Sequence, residues 1–134
     1  MKKHPYVEGA FLPVTADLIG KVFTEIEGEQ GGECLRLKCA EGTFEFFHSQ
    51  DCCESVYIES ITGDVADLIG SPILLAEEST SEQTPEGFNH FYEPESQTWT
   101  FYKLATIKGY VDVRWFGTSN GYYSESVSLD FKPH

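Results

Sequence analysis

The densest group of side chains able to do chemistry is His48-Ser49-Gln50-Asp51-Cys52-Cys53-Glu54. Imidazole and thiol so close in sequence suggest two reactions. A thiolate needs a base or cation beside it, which His48 could supply to Cys52 or Cys53. Zinc would use the same histidine and cysteines and borrow Cys34 or Cys39 from a neighbouring strand for tetrahedral ligation. Against both, there is no Cys-x-x-Cys, and small thiols at the start of a strand are ordinary packing residues. We therefore expect no metal, no cofactor and no catalytic residue, with His48, Cys52 and Cys53 as weak metal candidates. The four cysteines are expected to be reduced in a cytosol, and the adjacent pair Cys52 and Cys53 is not expected to bond.

The other candidates are binding residues. Between Glu77 and Gln97 stand Glu77, Glu78, Glu82, Glu86, Glu93 and Glu95 together with Phe88, His90, Phe91 and Tyr92. Rings supply contact area and carboxylates steer toward a cation, so an acidic, aromatic loop of this length reads as a partner-binding element. Its opposite is a solvated flap whose rings fold back on a sheet. A second set, Trp99, Tyr102, Trp115, Tyr122 and Tyr123, could stack on a base while Arg36, Lys103 or Arg114 meets a phosphate. Aromatics in strands are more often core.

Charge discriminates among partners. Only 9 Lys and Arg oppose 22 Asp and Glu, a formal charge of −13 in 134 residues. Direct contact with a nucleic-acid backbone is disfavoured, because phosphates require clustered cations. A basic protein partner is favoured. The first residues, Met1-Lys2-Lys3-His4-Pro5, lack the continuous apolar stretch of a secretory signal, and no run approaches a membrane span.

The elements that must position these residues repeat. Ala16-Asp17-Leu18-Ile19-Gly20 recurs as Ala66-Asp67-Leu68-Ile69-Gly70, and Glu54-Ser55-Val56 is echoed by Glu125-Ser126-Val127. This suggests an internal duplication, each half one short capped turn and about four strands. Residues 1–14 read as an arm, 15–60 as the first repeat, and 64–131 as the second with a 77–97 loop insertion. Alternation puts Leu35, Leu37 and Cys39 on one face, Phe44, Phe46 and His48 on another, and Val111, Val113 and Trp115 in the matching row. Ile107-Lys108-Gly109 and Asn120-Gly121 are turn signals. Pro72 to Ala76 reads as a buried apolar strand. The expected fold is a single all-β domain of about eight antiparallel strands, a barrel or a sandwich.

The stretches Asp51-Cys52-Cys53-Glu54-Ser55-Val56-Tyr57, Trp99 to Leu104 and Ser119-Asn120-Gly121-Tyr122-Tyr123-Ser124-Glu125 resemble a family of small proteins, of unknown function, encoded by bacteriophages and their hosts. The resemblance implies a phage accessory protein in an infected bacterial cytoplasm and carries over no catalytic residue. The expected function is non-enzymatic inhibition of a host defence protein, such as a CRISPR effector, whose basic groove the acidic surface would occupy. Sequestration of a nucleotide-like signal and a thiol or metal enzyme at His48, Cys52 and Cys53 are the alternatives; a homo-oligomer is left open.

Overall fold

The computed structural model describes residues 12–13, 18–90 and 93–134, and structural statements below concern these. It is a two-layered β sandwich with no closed barrel. The strands are β1 (Leu12–Pro13), β2 (Phe23–Glu27), β3 (Cys34–Cys39), β4 (Gly42–Phe47), β5 (Ser55–Thr62), β6 (Leu75–Ser81), β7 (Ser96–Thr106), β8 (Gly109–Ser119) and β9 (Ser128–Pro133). The single described helical element is a 3-10 turn over Val65–Leu68. One sheet runs β1-β6-β7-β8-β5 and the other β2-β3-β4-β9, with every strand pairing antiparallel. Since β1 is only a two-residue pairing at one edge, eight strands carry the fold.

The order has a hidden regularity. Three consecutive strands of the first half, β2 to β4, are completed by β9, the last strand of the second. Likewise β6 to β8 are completed by β5, the last strand of the first. Each sheet thus takes its fourth strand from the other half of the chain. The turn glycines are linked in the same reciprocal way: the Gly20 amide donates to the Ile73 carbonyl at 2.8 Å, and the Gly70 amide donates to the Phe23 carbonyl at 2.9 Å. Both glycines sit at positive φ, 87° and 85°, which L side chains adopt only at a cost. Leu18 and Leu68, just before them, are fully buried.

The core lies between the sheets because alternation turns the apolar set inward. Leu35, Leu37, Cys39, Phe44 and Phe46 meet Val56, Ile58, Tyr102, Leu104, Val111, Val113 and Trp115. Phe46 and Tyr102 touch across the layers at 4.5 Å between ring centroids. Each fully buried side chain of this kind contributes ~1.5–3 kcal/mol against the cost of ordering the chain. The expected inward rows of β3 and β8 are found, as are Phe44 and Phe46 of β4 and the hairpin that turns at Ile107-Lys108 between β7 and β8, but His48, expected to continue the β4 row, falls beyond that strand and outside the inter-sheet core.

Other expectations are corrected. Residues 77–81 are not loop: β6 continues to Ser81, pairing Glu77 with Lys103 and Glu78 with Tyr102, so the connection shortens to 82–95. The ladder to β7 outweighs the poor strand propensity of Glu and Ser. Pro72 to Ala76 is not one buried strand: β6 begins only at Leu75, and Leu74, on the segment leading into it, is 60% exposed. Asn120-Gly121 turns the chain, but within the crossover from β8 to β9, which belong to different sheets, and not within a hairpin. Asp64 does cap the turn at Val65–Leu68, accepting from the Ala66 amide at 3.0 Å. The matching cap at Thr15 and the arm except for β1 lie outside the described residues.

Candidate functional site

The His48 to Glu54 segment folds around a carboxylate. Glu54 is buried, and its Oε2 accepts from His48 Nε2 at 2.8 Å and from the Asp51 amide at 2.9 Å, while its Oε1 accepts from the Cys52 amide at 2.8 Å. The other ring nitrogen of His48 faces the Ser126 carbonyl at 2.6 Å. Burial pushes the Glu54 carboxyl up, but the histidine and the two amides outweigh it and hold it at about 2. The result is a buried His48–Glu54 contact that ties the β4–β5 crossover to the β8–β9 crossover through Ser126.

This geometry corrects the thiol expectation. Cys52 and Cys53 are joined to each other by a disulfide, which is exposed at the rim of the loop. Neither has a free thiol to act as nucleophile or ligand, and both nitrogens of His48 are engaged. Cys34 and Cys39 are free but lie on opposite faces of β3, Cys39 in the core. Among the described residues no group of three or more His, Cys, Asp and Glu is arranged to hold a metal. The reduced-thiol expectation holds for Cys34 and Cys39 but not for Cys52 and Cys53, which the disulfide joins.

Glu125 is the counterpart of Glu54, and the Glu-Ser-Val echo marked both. It is likewise buried, accepts from Thr98 Oγ1 at 2.7 Å and from Ser119 Oγ, and so pins the β8–β9 crossover to the sheet. Two buried carboxylates, Glu54 directly before β5 and Glu125 in the crossover that leads into β9, serve as anchors.

The acidic candidates divide into two groups. Glu77 and Glu78 are half-buried in β6, with Glu78 beside the Tyr102 phenol, which burial and this carboxylate both push upward. Glu82, Glu86, Glu93 and Glu95 are exposed on the 82–95 connection. Phe88 folds back: its ring packs on Trp99 at 4.8 Å and on Phe116 at 5.4 Å. Thr84 accepts from His90 Nε2 at 2.7 Å and donates to Gln97 Oε1 at 3.1 Å, holding the start of the connection against its end. Phe91 and Tyr92 lie outside the described residues.

The aromatic set is split between two faces of the five-stranded sheet. Tyr102 and Trp115 point into the sandwich core. Trp99 lies on the outer face with Phe101 and Phe116, as do Lys103 and Arg114 by register. There Arg114 stacks over Trp99 at 5.2 Å and pairs with Glu59, Nε to Oε1 at 2.6 Å. Tyr122 is 90% exposed. Arg36 is on the other sheet, paired with Glu45 across the β3–β4 hairpin.

Two adjoining clefts open between the outer face and the 82–95 connection. One, of about 320 Å³, is lined by Ser55, Tyr57, Phe88, Asn89, His90, Pro94, Phe116 and Thr118. The other, of about 340 Å³, shares Pro94 and Thr118 and adds Glu93, Glu95, Tyr123 and the disulfide at Cys53. Tyr57 and Phe116 are not among the site residues singled out from sequence. The signal was there in the alternation of β5 and β8, which sends Tyr57 and Phe116 outward as Val56 and Trp115 go in.

The chain belongs to the family described as a domain of unknown function, DUF7448, whose model matches residues 16–129. No curated protein and no solved structure matches it. Among the described residues no helix is long and apolar enough to cross a membrane.

Proposed function

We propose that this chain is a non-enzymatic binding protein that docks, through the acidic 82–95 connection, onto the cation-lined surface of a nucleic-acid-handling protein. The observation that carries the reading is that Glu82, Glu86, Glu93 and Glu95 are exposed on a connection pinned to the sheet by Phe88. Carboxylates held on an anchored loop lose less freedom on docking than carboxylates on a free one. The net charge of −13 adds long-range steering toward a basic groove and repels nucleic acid itself. Glu77 and Glu78 leave the contact set, since β6 half-buries them.

A phage-encoded inhibitor of host defence in an infected bacterial cytoplasm, anti-CRISPR activity included, is the finest form of this proposal. Its support is the likeness, read from the sequence, of the segments around Cys52, Trp99 and Tyr122 to a family of small proteins encoded by bacteriophages and their hosts. Sequestration of a nucleotide finds less support, because its set is divided: Tyr102 and Trp115 point into the core, away from Lys103 and Arg114 on the outer face, and Arg36 is engaged on the other sheet.

The test compares the tagged protein with a Glu82→Gln, Glu86→Gln, Glu93→Gln, Glu95→Gln variant in pull-downs from nuclease-treated bacterial lysate. A nucleic-acid-handling protein retained at low salt, released at high salt and not retained by the variant is the expected result. Equal retention by the variant would refute the reading.

A further inference from the structure

We infer that the aromatic cleft under the 82–95 connection receives the guanidinium of an arginine side chain projecting from the basic partner. The inference rests on the acidic-docking reading above and gives it an anchor point. Its walls are rings: Tyr57 and Phe116 stand edge to face at 6.1 Å, Phe88 closes on Phe116 at 5.4 Å, and His90 lies 5.5 Å from Phe116. The cleft of about 320 Å³ runs past Pro94 and Thr118 into its neighbour, where Glu93 and Glu95 stand. No lysine or arginine is among the described residues that line either cleft.

That combination selects the charge of the occupant. Ring faces are electron-rich and attract cations, and carboxylates at one end add to the attraction, whereas an anion entering there would meet no lysine or arginine among the described lining residues. Planarity then selects arginine over lysine. A guanidinium stacks flat on an aromatic face and can bond a carboxylate through two N–H groups, whereas an ammonium is a strongly hydrated point charge. The same sheet face already holds one guanidinium in this manner, Arg114 over Trp99 with Glu59 as its carboxylate partner.

Calorimetric titration with two amidated peptides, identical except that one carries arginine where the other carries lysine, tests the inference on the unaltered protein. The arginine peptide should bind about tenfold tighter. Tyr57→Leu, on the outer face, should bring its affinity down to that of the lysine peptide, with the melting temperature measured alongside to verify folding. Glu93→Gln with Glu95→Gln should weaken both peptides. Equal affinities in the unaltered protein, with both weakened by the glutamine pair, would overturn the arginine cleft and leave the acidic surface standing. Absence of binding by either peptide would overturn the cleft as well, while the lysate experiment still decides the docking reading independently.

Discussion

Replacing Phe88 by alanine should free the 82–95 connection while leaving the sandwich intact. Full burial of a phenylalanine is worth ~1.5–3 kcal/mol, and Phe88 is only half-buried, so its transfer contribution is ~1 kcal/mol. Its contacts with Trp99 at 4.8 Å and Phe116 at 5.4 Å add ~0.5–1.5 kcal/mol per pair, part of which the area already counts. A net loss of ~2 kcal/mol multiplies the opening constant of the connection about thirtyfold. The ring belongs to the small outer cluster and not to the inter-sheet core, so the loss falls on local opening. Hydrogen exchange followed by mass spectrometry should therefore show faster exchange over 82–95 and unchanged exchange in β3, β4 and β8. Phe88→Leu should recover roughly half of the protection. Unchanged exchange over 82–95 in the alanine variant would show that the ring does not pin the connection. A uniform rise across all strands would show that the outer cluster is part of the global fold, and either result would refute the reasoning.

Glu54 makes stability depend on pH in a defined direction. Its folded value, about 2, lies below the ordinary 4.5, so its carboxylate contributes fully above pH 4.5 and the contribution drains away as pH falls toward 2. Melting temperatures of the unaltered protein should fall over that window, and those of Glu54→Gln should fall less steeply; parallel curves would remove Glu54 as the cause. Thiol labelling of the denatured, unreduced protein should count two thiols, Cys34 and Cys39, and four after reduction. Gly20→Ala and Gly70→Ala should each cost about 1 kcal/mol in urea denaturation, the strain of positive φ less the entropy removed from the unfolded chain. A clear inequality between them would break the equivalence of the two turns. Finally, Gly42→Ala should loosen β9 by more than either. There a Cβ would come within 2.8 Å of Pro133 Cα as well as closer still to the Lys132 carbonyl, backbone that cannot step aside without parting the β4–β9 ladder.

Much of the fold was legible because strands betray themselves by period two. Leu35, Leu37 and Cys39, then Phe44 and Phe46, then Val111, Val113 and Trp115 could be assigned to one interior before any partner strand was known, and all are there. What alternation cannot carry is which strand lies beside which. Nothing near Ser128–Pro133 says that it pairs with β4 and not with β8, since that choice is made by contacts distant in sequence. Ser79 and Ser81 were read as loop for the same reason: isolated serines prefer turns, and only the ladder to Phe101 and Trp99 makes them strand. The site followed this pattern. Its carboxylates were visible as charge and Phe88 as a ring, but the cleft needed Tyr57 from β5 and Phe116 from β8 to meet under a connection that starts at β6.

The matched plan of the two sheets supports the proposed binding surface by difference. Wherever the halves correspond, the residues do structural work: Gly20 and Gly70 bond to each other's following strands, Leu18 and Leu68 fill the core, and Glu54 and Glu125 pin the two crossovers. Where they diverge, one half gains surface. The link from β2 to β3 is a short polar turn, whereas the link from β6 to β7 is the acidic 82–95 connection with Phe88 and the clefts beneath it. Divergence also falls within the crossovers, where Cys52 and Cys53 form a disulfide in one and Tyr122 and Tyr123 stand in the other. Cys53 and Tyr123 both line the second cleft beside Glu93 and Glu95. Three departures from the shared plan, distant in sequence, therefore converge on one edge of one sheet. Packing alone has no need of that convergence, since the inter-sheet core is complete without any of them, and this is the physical reason for placing the proposed binding surface there.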